Sequence, residues 1–198
     1  MNQKVGKFSA TVNICAVIGF ALCMVFNFLF GAYLSSMFIA FSFVPMICAL
    51  CYRTKPETQI AGYTAMIFAG IYATFIMIVY FTQLTTVRFG GLTEQASMIL
   101  DYQAFGLFFG LNLLGYSMMA LSTFFAGLTI NVKSKTDKGL KFLLMLHGIF
   151  AVSGLIIPML DIFATMDGSD WVGKFVLMIW CVYFAPVGIL TLKYLRTI

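Results

Sequence analysis

Six stretches of about twenty or more mostly apolar residues run through the chain, at roughly 8–30, 33–52, 60–82, 104–130, 140–162 and 171–192. A helix rises 1.5 Å per residue and a bilayer's hydrocarbon core is about 30 Å thick, so each stretch can cross it. A spanning segment must satisfy its backbone polar groups internally, which leaves helices for runs of this kind. The first two runs are separated only by Gly31 and Ala32, so a tight helical hairpin is predicted there. The fold class expected is therefore all-α: a polytopic membrane bundle of six transmembrane helices in a single domain.

Composition agrees. The chain is 62% hydrophobic and 10% charged, with a mean hydropathy of +0.99. A soluble domain is about 25% charged, and this inventory cannot build a water-facing surface. A pI near 9 would otherwise direct attention to nucleic acid. The charges are too few for that, and their placement answers to membrane lipid as the partner.

If the N-terminus is cytoplasmic, the inside segments hold Lys4, Lys7, Arg53, Lys55, Lys133, Lys135, Lys138, Lys141, Lys193 and Arg196, ten of the twelve basic residues. Arg88 and Lys174 fall outside, beside Glu94, Asp101, Asp161, Asp167 and Asp170. This positive-inside bias predicts N-in and C-in, with both termini cytoplasmic. Lys4 and Lys7 also resemble the start of a signal peptide. The apolar run behind them exceeds the usual length of about 7–15 residues, and no small-x-small site follows, so the first span is expected to be retained.

Cys15, Cys23, Cys48, Cys51 and Cys181 all fall within spans, so structural disulfides are not expected. Cys48-x-x-Cys51 is a CxxC without a second ligand pair, which reads as small apolar filler rather than a metal site. No metal, cofactor or catalytic residue is assigned.

No Asp, Glu, Lys or Arg sits at the midpoint of a span, which speaks against proton pumping and carboxylate-coupled cation transport. Uncharged polar groups gather in the outer half instead. Asn27 lies near the outer end of the first span, and Tyr80, Gln83, Asp101 and Gln103 flank the long outer loop. Asn112 lies roughly 12 Å below the outer surface, at 1.5 Å per residue, and Asp161 is at the outer end of the fifth span. An amide in hydrocarbon must find a partner, so Asn112 is expected to face the bundle. Two readings stay open for this set. It can be interhelical glue, or Asn27, Tyr80, Asp101, Gln103, Asn112 and Asp161 can line an outer vestibule for a ligand.

The inner half holds Asn13 and the single histidine, His147. His147 reads as a hydrogen-bonded core residue, with a pH-sensitive gate as the sharper alternative. The fourth span carries Gly106-x-x-x-Gly110, Gly115, Ser117, Ala120 and Ser122. Small residues allow close helix approach, so this span is expected to be the most contacted, within the chain or against a second subunit. Pro45, Pro158 and Pro186 predict kinks. Between the third and fourth spans, Leu92, Ala96, Ile99 and Leu100 recur at helical spacing. They predict a short amphipathic helix on the outer leaflet, capped by Thr93 or Asp101. Gly19-Phe20, Phe28 and Gly31 match Gly115-Tyr116, Phe124 and Gly127 in spacing, and Pro45-Met46 matches Pro158-Met159. This raises a 3+3 inverted repeat.

The runs LNLLGYSMMALSTFFAGLTI, KFLLMLHGIFAVSGLIIPML and IWCVYFAPVGILTLKYLR resemble small bacterial multi-pass membrane proteins of unknown function. The resemblance covers most of the chain and implies a bacterial inner membrane. It carries no activity and no site residue. Three functions follow as expectations: a transporter, channel or binding protein for a neutral or hydrophobic small molecule from the outer side; a non-catalytic partner, immunity or sensor subunit; or a lipid-modifying enzyme.

Overall fold

The computed structural model describes residues 2–52, 54–160 and 171–197. Its α-helices are α1 (Asn2–Val25), α2 (Leu29–Cys51), α3 (Gln59–Thr82), α4 (Glu94–Leu100), α5 (Leu107–Thr129), α6 (Lys135–His147), α7 (Ile149–Met159) and α8 (Trp171–Thr197). A π-helical turn, Gln83–Val87, extends α3. No strand occurs among the described residues. Six helical segments are long and apolar enough to cross a membrane: Asn2–Val25, Leu29–Cys51, Pro56–Val87, Leu107–Thr129, Lys135–Met159 and Gly173–Arg196.

The spanning helices form a ring in chain order. α1 packs on α2, α2 on α3, α3 on α5, α5 on α6 and α7, α6 on α8, and α8 back on α1. α5 also reaches across to α2. Buried Phe43, Tyr72, Met119, Leu144 and Phe184 interlock inside the ring. Outward faces stay apolar: Phe26 is 77% exposed and Ile60 81%. A soluble protein does not leave such large side chains uncovered over its whole periphery, whereas lipid covers them at no cost. Gly6 lies against Ala49 and Leu195, so the first turn of α1 and the last turns of α2 and α8 share one end of the bundle.

Several boundaries differ from the sequence reading, each for a local reason. The first hairpin breaks at Phe26–Phe28 rather than at Gly31 and Ala32. Asn27 adopts a left-handed φ of 52°. The Phe28 amide then donates to the Cys23 carbonyl (2.8 Å) and the Asn27 amide to the Met24 carbonyl (3.2 Å). This is a Schellman closure with asparagine in the left-handed position that glycine usually takes. Gly31 serves packing inside α2, where an added Cβ would meet the Phe28 ring at 2.5 Å and the Cys23 thiol at 2.6 Å.

The fifth span starts at Lys135 instead of 140. A capping box opens it: Ser134 accepts from the Asp137 amide at 3.2 Å, and the Asp137 carboxylate accepts from the Ser134 amide at 2.9 Å. The same span is two helices, α6 and α7, joined at Gly148. The Gly148 amide reverts to a three-residue bond with the Met145 carbonyl, 3.1 Å. The Tyr183 hydroxyl donates to the Leu143 carbonyl just before the break. A side chain on Gly148 would press into the Phe124 ring at 2.9 Å, so this joint holds α5 close.

The small residues of α5 divide by task. Gly115 faces Phe75 and Ile76 of α3, and Gly127 faces Leu144 and Met145 of α6. The GxxxG pair is not one packing face. Gly106 abuts the Met98 backbone carbonyl, and Gly110 has open space beside it.

Candidate functional site

A cavity of about 370 Å³ occupies the half of the bundle opposite the two termini. This is within the range of about 300–1,000 Å³ typical of small-molecule sites. α1 contributes Phe20 and Met24, α2 contributes Leu29, Ala32 and Tyr33, and α3 contributes Tyr80. The turn before α5 adds Tyr102, Gln103 and Phe105, and α5 itself adds Phe109, Asn112, Leu113 and Tyr116. The remaining wall comes from Phe150, Ser153, Gly154 and Ile157 of α7 and from Gly173, Lys174, Val176, Leu177 and Trp180 of α8. α7 packs chiefly on α5, whereas α8 packs on α1 and α6. The cavity occupies the space between α7 and α8.

Its floor is a hydrogen-bonded aromatic layer. The Trp180 indole N–H donates to His147 Nε2 at 3.1 Å. An indole has only a donor, so Nε2 must be the unprotonated nitrogen. Nδ1 then carries the proton and faces the Thr123 hydroxyl at 2.8 Å, which in turn donates to the Ala120 carbonyl at 2.9 Å. The imidazole is thereby fixed as the neutral Nδ1–H tautomer. Phe184 stacks on Trp180 at 4.9 Å and packs against His147 at 5.3 Å. Beneath this layer Ile39, Phe43, Met46, Ile47 and Leu144 are fully buried.

The upper wall is built from tyrosines and stapled by one glutamine. Tyr33 stacks on Tyr80 at 5.4 Å, and Tyr102 meets Phe109 at 5.3 Å. Loss of water around the Tyr102 hydroxyl, reinforced by Tyr80 and Tyr33, pushes it well above the usual tyrosine range, so it stays protonated. Buried Gln83 donates to the Leu100 carbonyl at 2.8 Å and accepts from the Tyr102 amide at 3.1 Å. It pins the loop end to α3. Thr93 caps α4 by accepting from the Ala96 amide at 3.3 Å.

The sequence-derived site residues separate on this geometry. Tyr80, Gln103, Asn112 and His147 come together around the cavity. Asn112 is 1% exposed, and its Oδ1 has no hydrogen-bond partner. Asp101 does not line the cavity. Its carboxylate accepts from the Gln103 amide at 2.9 Å and closes the turn before α5. Asn27 is not in the wall either. Its Oδ1 accepts from Lys174 Nζ at 2.6 Å, tying the first hairpin to α8 at the cavity's margin. Asp161 lies outside the described residues. The inner amide, Asn13, acts as interhelical glue, donating to the Ile39 carbonyl at 3.1 Å and to Ser42 Oγ at 3.0 Å.

Sequence reasoning missed Trp180, Tyr116, Gly154 and Lys174. Trp180 and Tyr116 carry no polar signal stronger than that of any aromatic in a span, and only the α5–α8 juxtaposition reveals them, with rings 5.6 Å apart. Gly154 was visible as a glycine in the fifth span. Its fit against Ser117 and Leu113 of α5 was not. Comparison with protein-family models, curated proteins and solved structures finds no match for this chain.

Proposed function

We propose that the chain is a membrane-embedded binding protein or carrier for a neutral, hydrophobic small molecule that enters from the outer side. The observation that carries this is an aromatic cavity of about 370 Å³ with Tyr80, Gln103 and Asn112 among its lining residues. The ligand reaches the site from the outer leaflet between α7 and α8.

The charge bias supports cytoplasmic termini, and on that reading the cavity faces outward and the end that carries the termini faces inward. A bacterial inner membrane is the setting that the resemblance implies. A 3+3 inverted repeat, pairing α1, α2 and α3 with α5, α6–α7 and α8, belongs to the same reading. The partner-subunit reading gains less support, because a chain built only for contact has no need of an internal cavity. The lipid-modifying reading gains less support too: among the described lining residues there is no carboxylate, and both ring nitrogens of His147 are engaged by Trp180 and Thr123.

The test uses thiol access. In a variant lacking the five native cysteines, Asn112→Cys is expected to react with N-ethylmaleimide added from outside much faster than Ser122→Cys, which replaces a fully buried α5 residue away from the cavity. Equal inertness of the two, with outer-loop cysteines reacting, removes the proposal.

A further inference from the structure

The geometry points to a ligand class: a neutral aromatic molecule of about two rings. This deepens the binding reading above and rests on it. Size comes from the cavity. A dry apolar cavity of about 150 Å³ takes one benzene, and on that scale about 370 Å³ takes two rings with space to spare. Aromaticity comes from the lining. Nine of the twenty-three lining residues are Phe, Tyr or Trp, more than twice the 17% share of these residues in the chain. The helices α1, α2, α3, α5, α7 and α8 and the turn before α5 each supply at least one, so the rings surround the space rather than forming one wall.

Lining rings already pack edge to face on one another. Phe105 meets Phe109 at 4.7 Å and 77°, and Tyr116 meets Trp180 at 5.6 Å and 74°. A ring has a negative face and a positive edge, so a flat aromatic guest extends this packing, and each such pair contributes beyond the area it buries. A saturated ring fills the space without that polarity. Charge follows from the same inventory. Aromatic cages suit lipophilic cations, but Lys174 is the only charged side chain among the described lining residues, and it repels one. Ring faces repel an anion, and a buried anion needs a paired charge. Lys174 stands at the margin, where its ammonium donates to Asn27 Oδ1 at 2.6 Å. A neutral molecule meets neither penalty. The polar lining groups ask for little else. His147 uses both ring nitrogens, Ser153 donates to the Phe150 carbonyl at 3.2 Å, and Asn112 is 1% exposed. The tyrosine hydroxyls, Gln103 and Lys174 carry donors, and a ring face is a weak acceptor for donors of this kind.

The experiment compares two probes with one carbon skeleton, biphenyl and its saturated counterpart, bicyclohexyl. Binding to the wild-type protein in lipid nanodiscs is measured by equilibrium dialysis against empty nanodiscs, which subtracts partitioning into lipid. Biphenyl is expected to bind about tenfold more tightly, the scale of one or two ring–ring contacts. Apolar area alone favours bicyclohexyl, the larger and more lipophilic of the two, so the sign of the preference is diagnostic. Phe109→Leu on α5 and Phe150→Leu on α7 each remove a lining ring. Each is expected to cut the preference severalfold by weakening biphenyl alone. Phe68→Leu removes a ring that stacks on Phe125 at 6.0 Å outside the lining, and is expected to leave the preference intact. Equal binding of both probes to the wild type, or tighter binding of bicyclohexyl, overturns the aromatic assignment and leaves the cavity reading standing. So does a preference for biphenyl that both lining variants retain in full. Absence of specific binding by either probe overturns the binding reading with it. The wild-type comparison stands by itself if a lining variant fails to fold.

Discussion

Gly106→Ala is expected to destabilise the protein by about 1–3 kcal/mol, the range for forcing extra carbon into a closed contact, and to abolish ligand binding. The new Cβ would land on the backbone carbonyl of Met98, and a carbonyl within α4 cannot rotate aside as a side-chain tip can. Either α4 lifts away or the start of α5 shifts. Both outcomes move Tyr102, Gln103 and Phe105, which form the wall between them. Thermal unfolding in detergent, followed by tryptophan emission, measures the stability loss, and equilibrium dialysis of a small apolar probe, 4-cyclohexylphenol, against nanodiscs with and without the protein measures the binding loss. Gly110→Ala, four residues on and facing open space, is the internal control and is expected to cost little. A mild Gly106→Ala phenotype would show that the loop does not rest on α5 as described.

His147→Leu has the second large effect. Leucine supplies neither an acceptor for the Trp180 indole N–H nor a donor for the Thr123 hydroxyl, so two buried partners lose bonds of 3.1 and 2.8 Å at once. An average interhelical hydrogen bond in a membrane contributes about 0.6 kcal/mol. Here the indole is left as an unpaired buried donor, which by itself costs about 1–3 kcal/mol. A total near 2 kcal/mol is expected from these terms. His147→Gln can both accept and donate, and is expected to recover a substantial part of the loss. If leucine and glutamine behave alike, the hydrogen bonds are not what His147 contributes.

The sequence made the bundle legible because membrane solvation writes it in bulk. Six apolar runs appear as six helical segments long and apolar enough to cross a membrane, and the polar members of the half that holds the cavity were visible by depth alone. Tyr80, Gln103 and Asn112 were placed together by that reasoning, and they do share a wall. Asp101 and Asn27 are absent from the cavity's lining for a common reason. Their local backbone duties, closing a turn and closing a Schellman motif, are set by two or three neighbouring dihedrals that hydropathy does not register. The same holds for the break at Gly148. Gly148 sits against Phe124 of α5, and no window of residues 140–162 contains that contact. Trp180 became a floor residue only once α8 was seen to lie beside α6 rather than α7. What was legible was therefore depth, and what was hidden was azimuth: which way each helix turns within the ring.

The measurement that bears most directly on the cavity uses Trp180 as its reporter. Trp171 and Trp180 are the two tryptophans of the chain, so Trp171→Phe leaves the floor residue as the sole emitter. Bromobenzene, a compact heavy-atom quencher, is titrated into nanodiscs carrying this variant. An internal site that holds one small apolar molecule predicts quenching that saturates and is relieved by 4-cyclohexylphenol. Quenching that climbs in proportion to the bromobenzene dissolved in lipid, indifferent to the phenol, would mean that Trp180 meets the bilayer and that no closed site stands above it.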